Sequence, residues 1–212
     1  MKFKGVIFDL DGVICFTDQY HYRAWKQMAD RIGVYFDEKI NNRLRGVSRM
    51  ASLDIILEKS TKQYSAAEKK ILAEQKNDIY RELLLQMSPK DLPVDVKNTL
   101  EELRNRGVRL AIGSSSKNTK TILKQIGLEG FFDAISDGTN ITHSKPHPEV
   151  FLKAADMLHL QPSECMVVED ALAGIDAAEA GGFSSAGIGE AATHDQVTFP
   201  IQQVSDILTI TF

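Results

Sequence analysis

Two aspartates separated by one residue follow a short apolar run near the N-terminus. The run from Phe3 to Phe8 has the composition of a buried strand, and Gly12 supplies the turn by which the chain leaves it. Asp9 and Asp11 are therefore predicted to lie beyond the carboxyl end of a strand, where open α/β sheets place their chemistry. An isolated Asp-x-Asp pair is more often an ordinary polar turn. Three further segments favour catalysis over that alternative.

A second strand-like run, 108–112, leads into small and hydroxylated residues that could bind an anion. They are Gly113, Ser114, Ser115 and Ser116, followed by Lys117 and Asn118 at a predicted helix start. Small residues let backbone N–H groups approach a phosphate, hydroxyls donate to its oxygens, and a helix N-terminus adds partial positive charge. Ser and Asn are also common N-caps, so a purely structural cap is the alternative.

A lysine and two adjacent acids complete the set. Lys145 lies between a loop and a predicted helix with early prolines, a placement that suits charge neutralisation, and a solvated surface lysine is the alternative. Glu169 and Asp170 end an apolar run that begins at Cys165. Clustered carboxylates need a cation or a proton between them, and oxygen ligands suit Mg²⁺. The sequence therefore predicts a Mg²⁺ site at this strand end.

The four segments resemble the motifs of the haloacid dehalogenase superfamily of phosphotransferases, in order and approximate spacing, from about Val6 to Gly189. The resemblance implies that Asp9 is the nucleophile that takes a phosphoryl group and that Asp11 is the general acid and base for the sugar hydroxyl. The implied phosphate ligands are Ser114 and Lys145, with Ser115, Ser116, Lys117 and Asn118 in the same binding loop. The implied Mg²⁺ site consists of Asp9, the backbone carbonyl of Asp11, Glu169 and Asp170.

The elements that must position these residues follow from the apolar periodicity. From Val94 onward predicted helices and strands alternate, which is typical of a parallel sheet wound with helices on both faces. Strands are predicted at 108–112, 132–136, 166–168 and 184–188, and helices at 119–126, 148–158 and 171–180. The predicted fold class is α/β, with a doubly wound, Rossmann-like parallel-sheet core formed by residues 1–15 and 88–212.

Residues 16–87 are predicted to form an inserted α-helical cap domain. Apolar residues recur every four positions from Tyr20 to Ile32, and a charged helix is predicted over 65–86. Polar residues of this segment, at 20–25, 44–49 and 76–78, are similar to those of the β-phosphoglucomutase subfamily.

That similarity implies a substrate role for the cap. It implies that His21 hydrogen-bonds Asp11 or the sugar and couples cap closure to acid/base readiness. Arg49 would bind the phosphate that is not being transferred, and Lys76 would contact the sugar. The other implied substrate contacts are Thr17, Trp25, Gly46, Val47, Ser48 and Ser52.

Each cap residue also has a simpler interpretation. His21 on an amphipathic helix is more often an interface histidine, and Trp25 is most simply a core residue of the cap. Arg49 could be a surface ion-pair residue, although a bidentate fork after a flexible glycine suits a phosphate. Lys76 lies in a charged run for which a solvated helix face is the default.

A second phosphate site distinguishes a mutase from a hydrolase, because a mutase must hold a hexose bisphosphate in two orientations. The predicted reaction interconverts β-glucose 1-phosphate and glucose 6-phosphate, primed by β-glucose 1,6-bisphosphate that leaves Asp9 phosphorylated. Two alternatives stay open: a Mg²⁺-dependent sugar-phosphate phosphatase of the same fold, and a sugar-phosphate-binding protein without turnover. Phe16 and Ser115 depart from the subfamily pattern and lie where substrate preference could change.

Composition excludes several other classes. The chain has 212 residues, of which 43 % are hydrophobic and 25 % charged, and a net charge of −4 opposes bulk binding to nucleic acid or anionic membranes. No apolar stretch approaches a membrane span, so a cytoplasmic location is expected. Small-molecule hexose phosphates as partners are what the resemblance implies. Cys15 and Cys165 are too few for a disulfide framework and are poor Mg²⁺ ligands. A monomer is expected, because no long apolar face is left over.

Overall fold

The computed structural model describes residues 3–44 and 48–210. The chain divides into two compact units. The first is drawn from Met1–Phe16 and Met87–Phe212, and the second is the intervening segment Thr17–Gln86. No helix of the described residues is long and apolar enough to cross a membrane.

A parallel sheet forms the centre of the first unit. Its strands are β1 (Gly5–Phe8), β2 (Arg109–Gly113), β3 (Ala134–Ser136), β4 (Cys165–Glu169), β5 (Ser184–Gly187) and β6 (Phe199–Pro200). They lie in the order β3-β2-β1-β4-β5-β6, and every neighbouring pair is parallel. Phe8 of β1 pairs with Ile112 of β2 and Val168 of β4. The carboxyl ends of these three strands therefore lie side by side.

Eight α-helices are found in the described residues. In chain order they are α1 (Asp18–Arg31), α2 (Glu38–Asn42), α3 (Arg49–Leu57), α4 (Ala66–Leu84), α5 (Val94–Asn105), α6 (Thr119–Gln125), α7 (Glu149–Met157) and α8 (Leu172–Ala180). The first four belong to the second unit and the last four to the first. Short 3₁₀ turns occupy Pro89–Asp91, Pro162–Glu164, Gly189–Thr193 and Val204–Thr209.

Both faces of the central strands are buried. Ile7 and Val167 belong to an apolar cluster with Phe151 of α7. Side chains alternate between the faces of a strand, so Phe8 and Val168 point to the opposite face, and both are fully buried as well. This packing, together with the strand order, confirms the doubly wound α/β fold predicted from the sequence.

The second unit packs α4 against α1 through their apolar faces. The buried residues of α1 are Ala24, Trp25, Met28 and Ala29, and those of α4 are Leu72, Ala73, Lys76, Ile79, Tyr80, Leu83 and Leu84. A capping box begins α4: the Ser65 hydroxyl accepts the N–H of Glu68, and the Glu68 carboxylate accepts the N–H of Ser65.

Predicted and observed elements differ where apolar periodicity is weak. β1 begins at Gly5 rather than Phe3, and β3 is shorter than the predicted strand 132–136. The sequence pattern predicts neither β6 nor α2. α2 begins where the Asp37 carboxylate accepts the N–H of Ile40 at 2.9 Å.

Candidate active site

Three acids meet at the carboxyl end of the sheet. Asp9 follows β1, and its N–H donates to the carbonyl of Val168 in β4 at 2.9 Å. Glu169 ends β4 and Asp170 follows it. One carboxylate oxygen from each of Asp9, Glu169 and Asp170 lies within 4.8 Å of the other two. The parallel pairing of β1 and β4 thus brings together acids that are 160 positions apart in the chain.

Lys145 joins two of these acids. Its Nζ lies 2.5 Å from Asp9 Oδ1 and 2.5 Å from Glu169 Oε1, and its side chain is only 11 % exposed. The ring of Phe151 lies 4.7 Å from the same Nζ. The interpretation of Lys145 as a solvated surface residue is therefore wrong, because the segment that precedes α7 directs it into the acidic cluster. The peptide bond between Lys145 and Pro146 is cis.

Backbone N–H groups fix the two carboxylates that Lys145 binds. Asp9 Oδ2 accepts the N–H of Asp11 at 3.0 Å. Glu169 Oε2 accepts the N–H groups of Asp170 at 2.8 Å and Ala171 at 2.9 Å, at the turn before α8. Both oxygens of each carboxylate are therefore engaged, so neither carboxylate can rotate without breaking a charge-assisted hydrogen bond.

Two glycines make room for the acids. Gly12 has a φ of +88°, and a Cβ atom on it would lie 2.0 Å from Asp170 Oδ2. Gly174, in the first turn of α8, contacts Glu169 so closely that a Cβ atom would lie 2.0 Å from the Glu169 Cδ. Only glycine permits either approach, and Gly12 also needs its freedom of φ.

The acidic cluster contains more carboxylates than cationic groups, and this imbalance changes the pKa values of its members. Burial raises the pKa of Asp9 to about 7; Lys145 opposes this rise, while Glu169 and Asp11 add to it. Burial, followed by the charges of Asp9 and Glu169, raises the pKa of Asp170 to about 8. Burial acts to lower the pKa of Lys145, but the two carboxylates that it binds raise that pKa above its ordinary value.

The donor set fits a divalent cation. Asp9, Glu169 and Asp170 carry three negative charges when ionised, and Lys145 supplies one positive charge against them. The deficit of two charges is the charge of one divalent cation, and carboxylate oxygens are the ligands that Mg²⁺ prefers.

The Ser-rich loop follows β2, next to β1. Ser114 and Asn118 are buried, Ser116 is half-buried, and Ser115 and Lys117 are exposed. The Ser114 hydroxyl accepts the N–H of Ser116 at 3.2 Å, and the Ser116 hydroxyl accepts the N–H of Asn118 at 3.2 Å. Each hydroxyl keeps its own proton for donation, so the turn holds Ser114 in place without using its O–H.

A second polar cluster lies within the second unit. Lys76 is buried, with its Nζ 2.8 Å from His21 Nδ1 and 4.7 Å from the rings of both Trp25 and Tyr80. The His21 ring stacks on Tyr80 with 4.1 Å between centroids. The default expectation of a solvated face for Lys76 is therefore wrong, because three aromatic rings surround its ammonium group.

His21 is held as a neutral imidazole. Burial, followed by the charges of Lys76 and Arg49, lowers the pKa of His21 well below its ordinary value. An ammonium group only donates hydrogen bonds, so His21 Nδ1 accepts from Lys76 and the ring proton is on Nε2. The Nε2–H group is therefore the hydrogen-bond donor of the His21 ring.

Arg49 begins α3 and binds polar groups of α4. Its guanidinium donates to Asn77 Oδ1 at 2.9 Å and lies 3.7 Å from the Glu74 carboxylate. Arg49 thus binds α4 at Asn77, the residue next to Lys76, and the charges of Arg49 and Lys76 both act on the neutral His21. The sequence motifs include Asn77, in the segment 76–78, but they do not include Tyr80, which follows Lys76 by one helical turn.

Two of the remaining predicted substrate contacts, Ser48 and Thr17, make local hydrogen bonds within the second unit. The Ser48 hydroxyl accepts the N–H of Ala51 at 3.3 Å and caps α3. Thr17 is buried and accepts a hydrogen bond from Tyr80 Oη at 3.1 Å, and Ser52 is also buried. Gly46 and Val47 lie outside the described residues.

Comparison with known proteins supports the same class of enzyme. Residues 3–182 match the model of the family described as haloacid dehalogenase-like hydrolase. The chain is 39 % identical to β-phosphoglucomutase of Bacillus subtilis (strain 168) over 96 % of this chain and 91 % of that protein. It is 32 % identical to fructose-1-phosphate phosphatase YqaB of Escherichia coli (strain K12), over 87 % and 95 % respectively.

A solved structure gives the same relationship. The crystal structure of β-phosphoglucomutase from Clostridium difficile superposes with a TM-score of 0.86 at 36 % identity, covering 97 % of this chain and 93 % of the other. The resemblance seen in the sequence motifs is confirmed by both the family match and this superposition. The chain belongs to the haloacid dehalogenase-like hydrolase family of enzymes.

Proposed function

We propose that this enzyme interconverts β-glucose 1-phosphate and glucose 6-phosphate through an aspartyl phosphate at Asp9. The observation that carries the proposal is the buried bridge from Lys145 Nζ to Asp9 and Glu169, 2.5 Å each. This arrangement neutralises charge at the carboxylate and fixes its direction of attack. The relative at 39 % identity, named β-phosphoglucomutase, supports the choice of reaction.

Asp9 acts as the nucleophile in this proposal. A carboxylate is a weak nucleophile, so the barrier must fall through in-line placement and neutralisation of the phosphoryl oxygens. The N–H of Asp11 and the ammonium of Lys145 hold the two Asp9 oxygens in fixed directions. Lys145 and the Ser114 hydroxyl are the proposed ligands of the phosphoryl oxygens.

Asp11 moves the proton. In the first half-reaction it takes the proton from the 6-hydroxyl of β-glucose 1-phosphate, as that oxygen bonds to phosphorus and the bond to Asp9 breaks. In the second half-reaction Asp9 attacks the phosphorus at C1, and Asp11 returns the proton to the departing C1 oxygen. Glucose 6-phosphate leaves and Asp9 is phosphorylated again.

Asp9, Glu169 and Asp170 would hold Mg²⁺, together with the Asp11 carbonyl. When bound, this ion supplies positive charge that lowers the pKa of Asp9 and stabilises the negative charge of the transferring group. The raised pKa values of Asp9 and Asp170 support the proposal that the cluster needs a cation, because without added positive charge Asp9 is partly protonated near neutral pH.

We assign the second phosphate of the bisphosphate to the second unit. Arg49 presents a planar guanidinium that matches phosphate oxygens bidentately, and Lys76 and His21 Nε2 add donors for the sugar. Ser48, Ser52, Thr17 and Trp25 stay proposed lining residues. This assignment separates a mutase from a phosphatase, which needs no distal phosphate ligand.

A sugar-phosphate phosphatase is the second candidate, favoured by one relative named as a fructose-1-phosphate phosphatase at 32 % identity. It would use the same Asp9 chemistry but pass the phosphoryl group to water. Both candidate reactions use hexose phosphates, which are metabolites of the cytoplasm. We therefore also propose a cytoplasmic location for the protein.

One assay distinguishes the two reactions. Purified protein with Mg²⁺ and β-glucose 1-phosphate is assayed with and without β-glucose 1,6-bisphosphate, and glucose 6-phosphate and inorganic phosphate are scored in the same tube. Bisphosphate-dependent glucose 6-phosphate that is absent in Asp9→Asn is the expected result. Inorganic phosphate as the main product, independent of bisphosphate, would identify a phosphatase.

A further inference from the structure

A group of potential metal ligands lies outside the acidic cluster, around the segment that carries Lys145. His143, His147 and Glu149 each offer one donor atom, and these atoms lie within 4.8 Å of one another. Both histidines are exposed, and the side chain of His143 is 62 % exposed. The two imidazole rings are tilted together with 4.6 Å between centroids. The proposed phosphoryl-transfer reaction uses none of these three side chains.

Existing contacts already draw the three side chains together. Glu149 Oε2 accepts the N–H of His143 at 2.8 Å and lies 3.1 Å from His143 Nδ1. His147 Nδ1 accepts the N–H of Glu149 at 3.2 Å. A metal ion would replace that long hydrogen bond. Few existing contacts would have to break for His143, His147 and Glu149 to bind an ion.

The negative charge of Glu149 is stabilised by groups that bind its other carboxylate oxygen, Oε1. Its Oε1 lies 2.7 Å from Lys153 Nζ and accepts the N–H of Thr142 at 3.0 Å. Lys153 first, and then the N–H groups of Thr142 and His143, lower the pKa of Glu149 to about 2. Glu149 is thus an ionised carboxylate whose Oε2 faces the histidines.

We propose that His143, His147 and Glu149 form a surface site for a zinc-class dication, separate from the acidic cluster at Asp9. Two imidazole nitrogens and one carboxylate oxygen are a donor set that suits Zn²⁺, whereas Mg²⁺ prefers oxygen donors alone. Zn²⁺ bonds are about 2.0–2.2 Å long, so tetrahedral donors lie about 3.5 Å apart. Rotation of the two exposed imidazoles covers the difference from the present spacing. Solvent would complete the coordination.

The ion would tie the ends of segment 143–147 to the first residue of α7. Lys145 lies in the middle of that segment and points into the acidic cluster. Occupancy would therefore restrain the backbone that carries Lys145.

Calorimetric titration of tag-free protein with Zn²⁺, in saturating Mg²⁺ and at neutral pH, tests the site. The expected result is one Zn²⁺ site per chain, with affinity reduced at least about tenfold in the double variant His143→Gln/His147→Gln. His159→Gln, which changes an exposed histidine outside the cluster, is the matched control and should leave the affinity unchanged. Lys153→Met should raise the affinity, because it removes a positive charge that repels the dication.

The site must also be independent of the acidic cluster. Asp9→Asn/Asp170→Asn should keep the Zn²⁺ affinity of the parent protein. The inference is overturned if the double histidine variant binds Zn²⁺ as tightly as the parent. It is also overturned if Zn²⁺ binding disappears with the acidic cluster instead.

Discussion

Replacing Gly174 by alanine should displace Glu169 and loosen the charge cluster. A Cβ atom at Gly174 would lie 2.0 Å from Cδ and 2.1 Å from Oε1 of Glu169. Carbon atoms in ordinary contact are about 3.5–4.0 Å apart, so the Glu169 carboxylate must move by about 1.5–2 Å. It cannot do so and keep its contacts of 2.5 Å to Lys145 and of 2.8 and 2.9 Å to the N–H groups of Asp170 and Ala171.

The size of the effect follows from these contacts. Overpacking a buried position costs about 1–3 kcal/mol, and losing a hydrogen bond to a charged group costs about 1.5–3 kcal/mol. Alanine in a helix offsets about 0.5–1 kcal/mol of this relative to glycine. We expect the free energy of unfolding to fall by about 3 kcal/mol, since these contributions largely add. A misplacement of about 1 Å also predicts a loss of about 100-fold in kcat.

A double-mutant cycle tests the cause of this loss. Urea unfolding is measured for the parent protein, Gly174→Ala, Glu169→Ala and the double variant, and the free energies are compared at constant slope. In Glu169→Ala the three atoms nearest to the added Cβ are absent. Gly174→Ala should then stabilise the protein by about 0.5–1 kcal/mol through helix propensity. Equal effects of Gly174→Ala in the two backgrounds would refute the reasoning.

Three further predictions concern charge. Lys145→Met removes the cation 2.5 Å from two buried carboxylates, so kcat should fall by about 10²–10³-fold, and a steady-state kcat within tenfold of the parent would contradict its role. In EDTA the free energy of unfolding should fall as pH rises from about 4 to about 8, because Asp9 and Asp170, with pKa values of about 7 and about 8, hold protons that the unfolded chain has released. Urea unfolding should show that Mg²⁺ reverses this fall, and a stabilisation by Mg²⁺ that is the same at pH 5 and pH 8 would count against metal binding at these acids. Arg49→Ala should reduce glucose 6-phosphate formation by at least about tenfold relative to phosphate release, measured in one tube, and an unchanged ratio would remove Arg49 from the distal phosphate site.

The sheet could be predicted because its strands are short, apolar and separated by helical segments. The central strands β1, β2 and β4 are buried on both faces and read as continuous apolar runs. β6 could not be predicted, since it has two residues, one of them proline, and shows no alternation. α2 depends on a single Asp37 cap, a signal too local to outweigh the surrounding polar residues.

The candidate site was predictable at the level of motifs but not of contacts. The motifs place Asp9 and Glu169 at strand ends and Lys145 just before a helix. The return of the Glu169 carboxylate to the N–H groups before α8 depends on tertiary structure. The role of Gly174 follows only from that conformation. For Lys76 the local sequence is misleading, because its charged neighbours in the chain suggest a solvated face. Trp25 lies on another helix, and only the fold places it beside Lys76.

Phosphoryl transfer from Asp9 to a sugar is the central claim, and a single-turnover chase tests it most directly. The protein is labelled with radioactive β-glucose 1,6-bisphosphate in Mg²⁺, digested for peptide mapping, and in a parallel sample chased with unlabelled β-glucose 1-phosphate. We predict label on the peptide that contains Asp9, no label in Asp9→Asn, and transfer of the label to hexose phosphates during the chase. Label that is absent from Asp9, or that leaves as inorganic phosphate during the chase, would contradict the account.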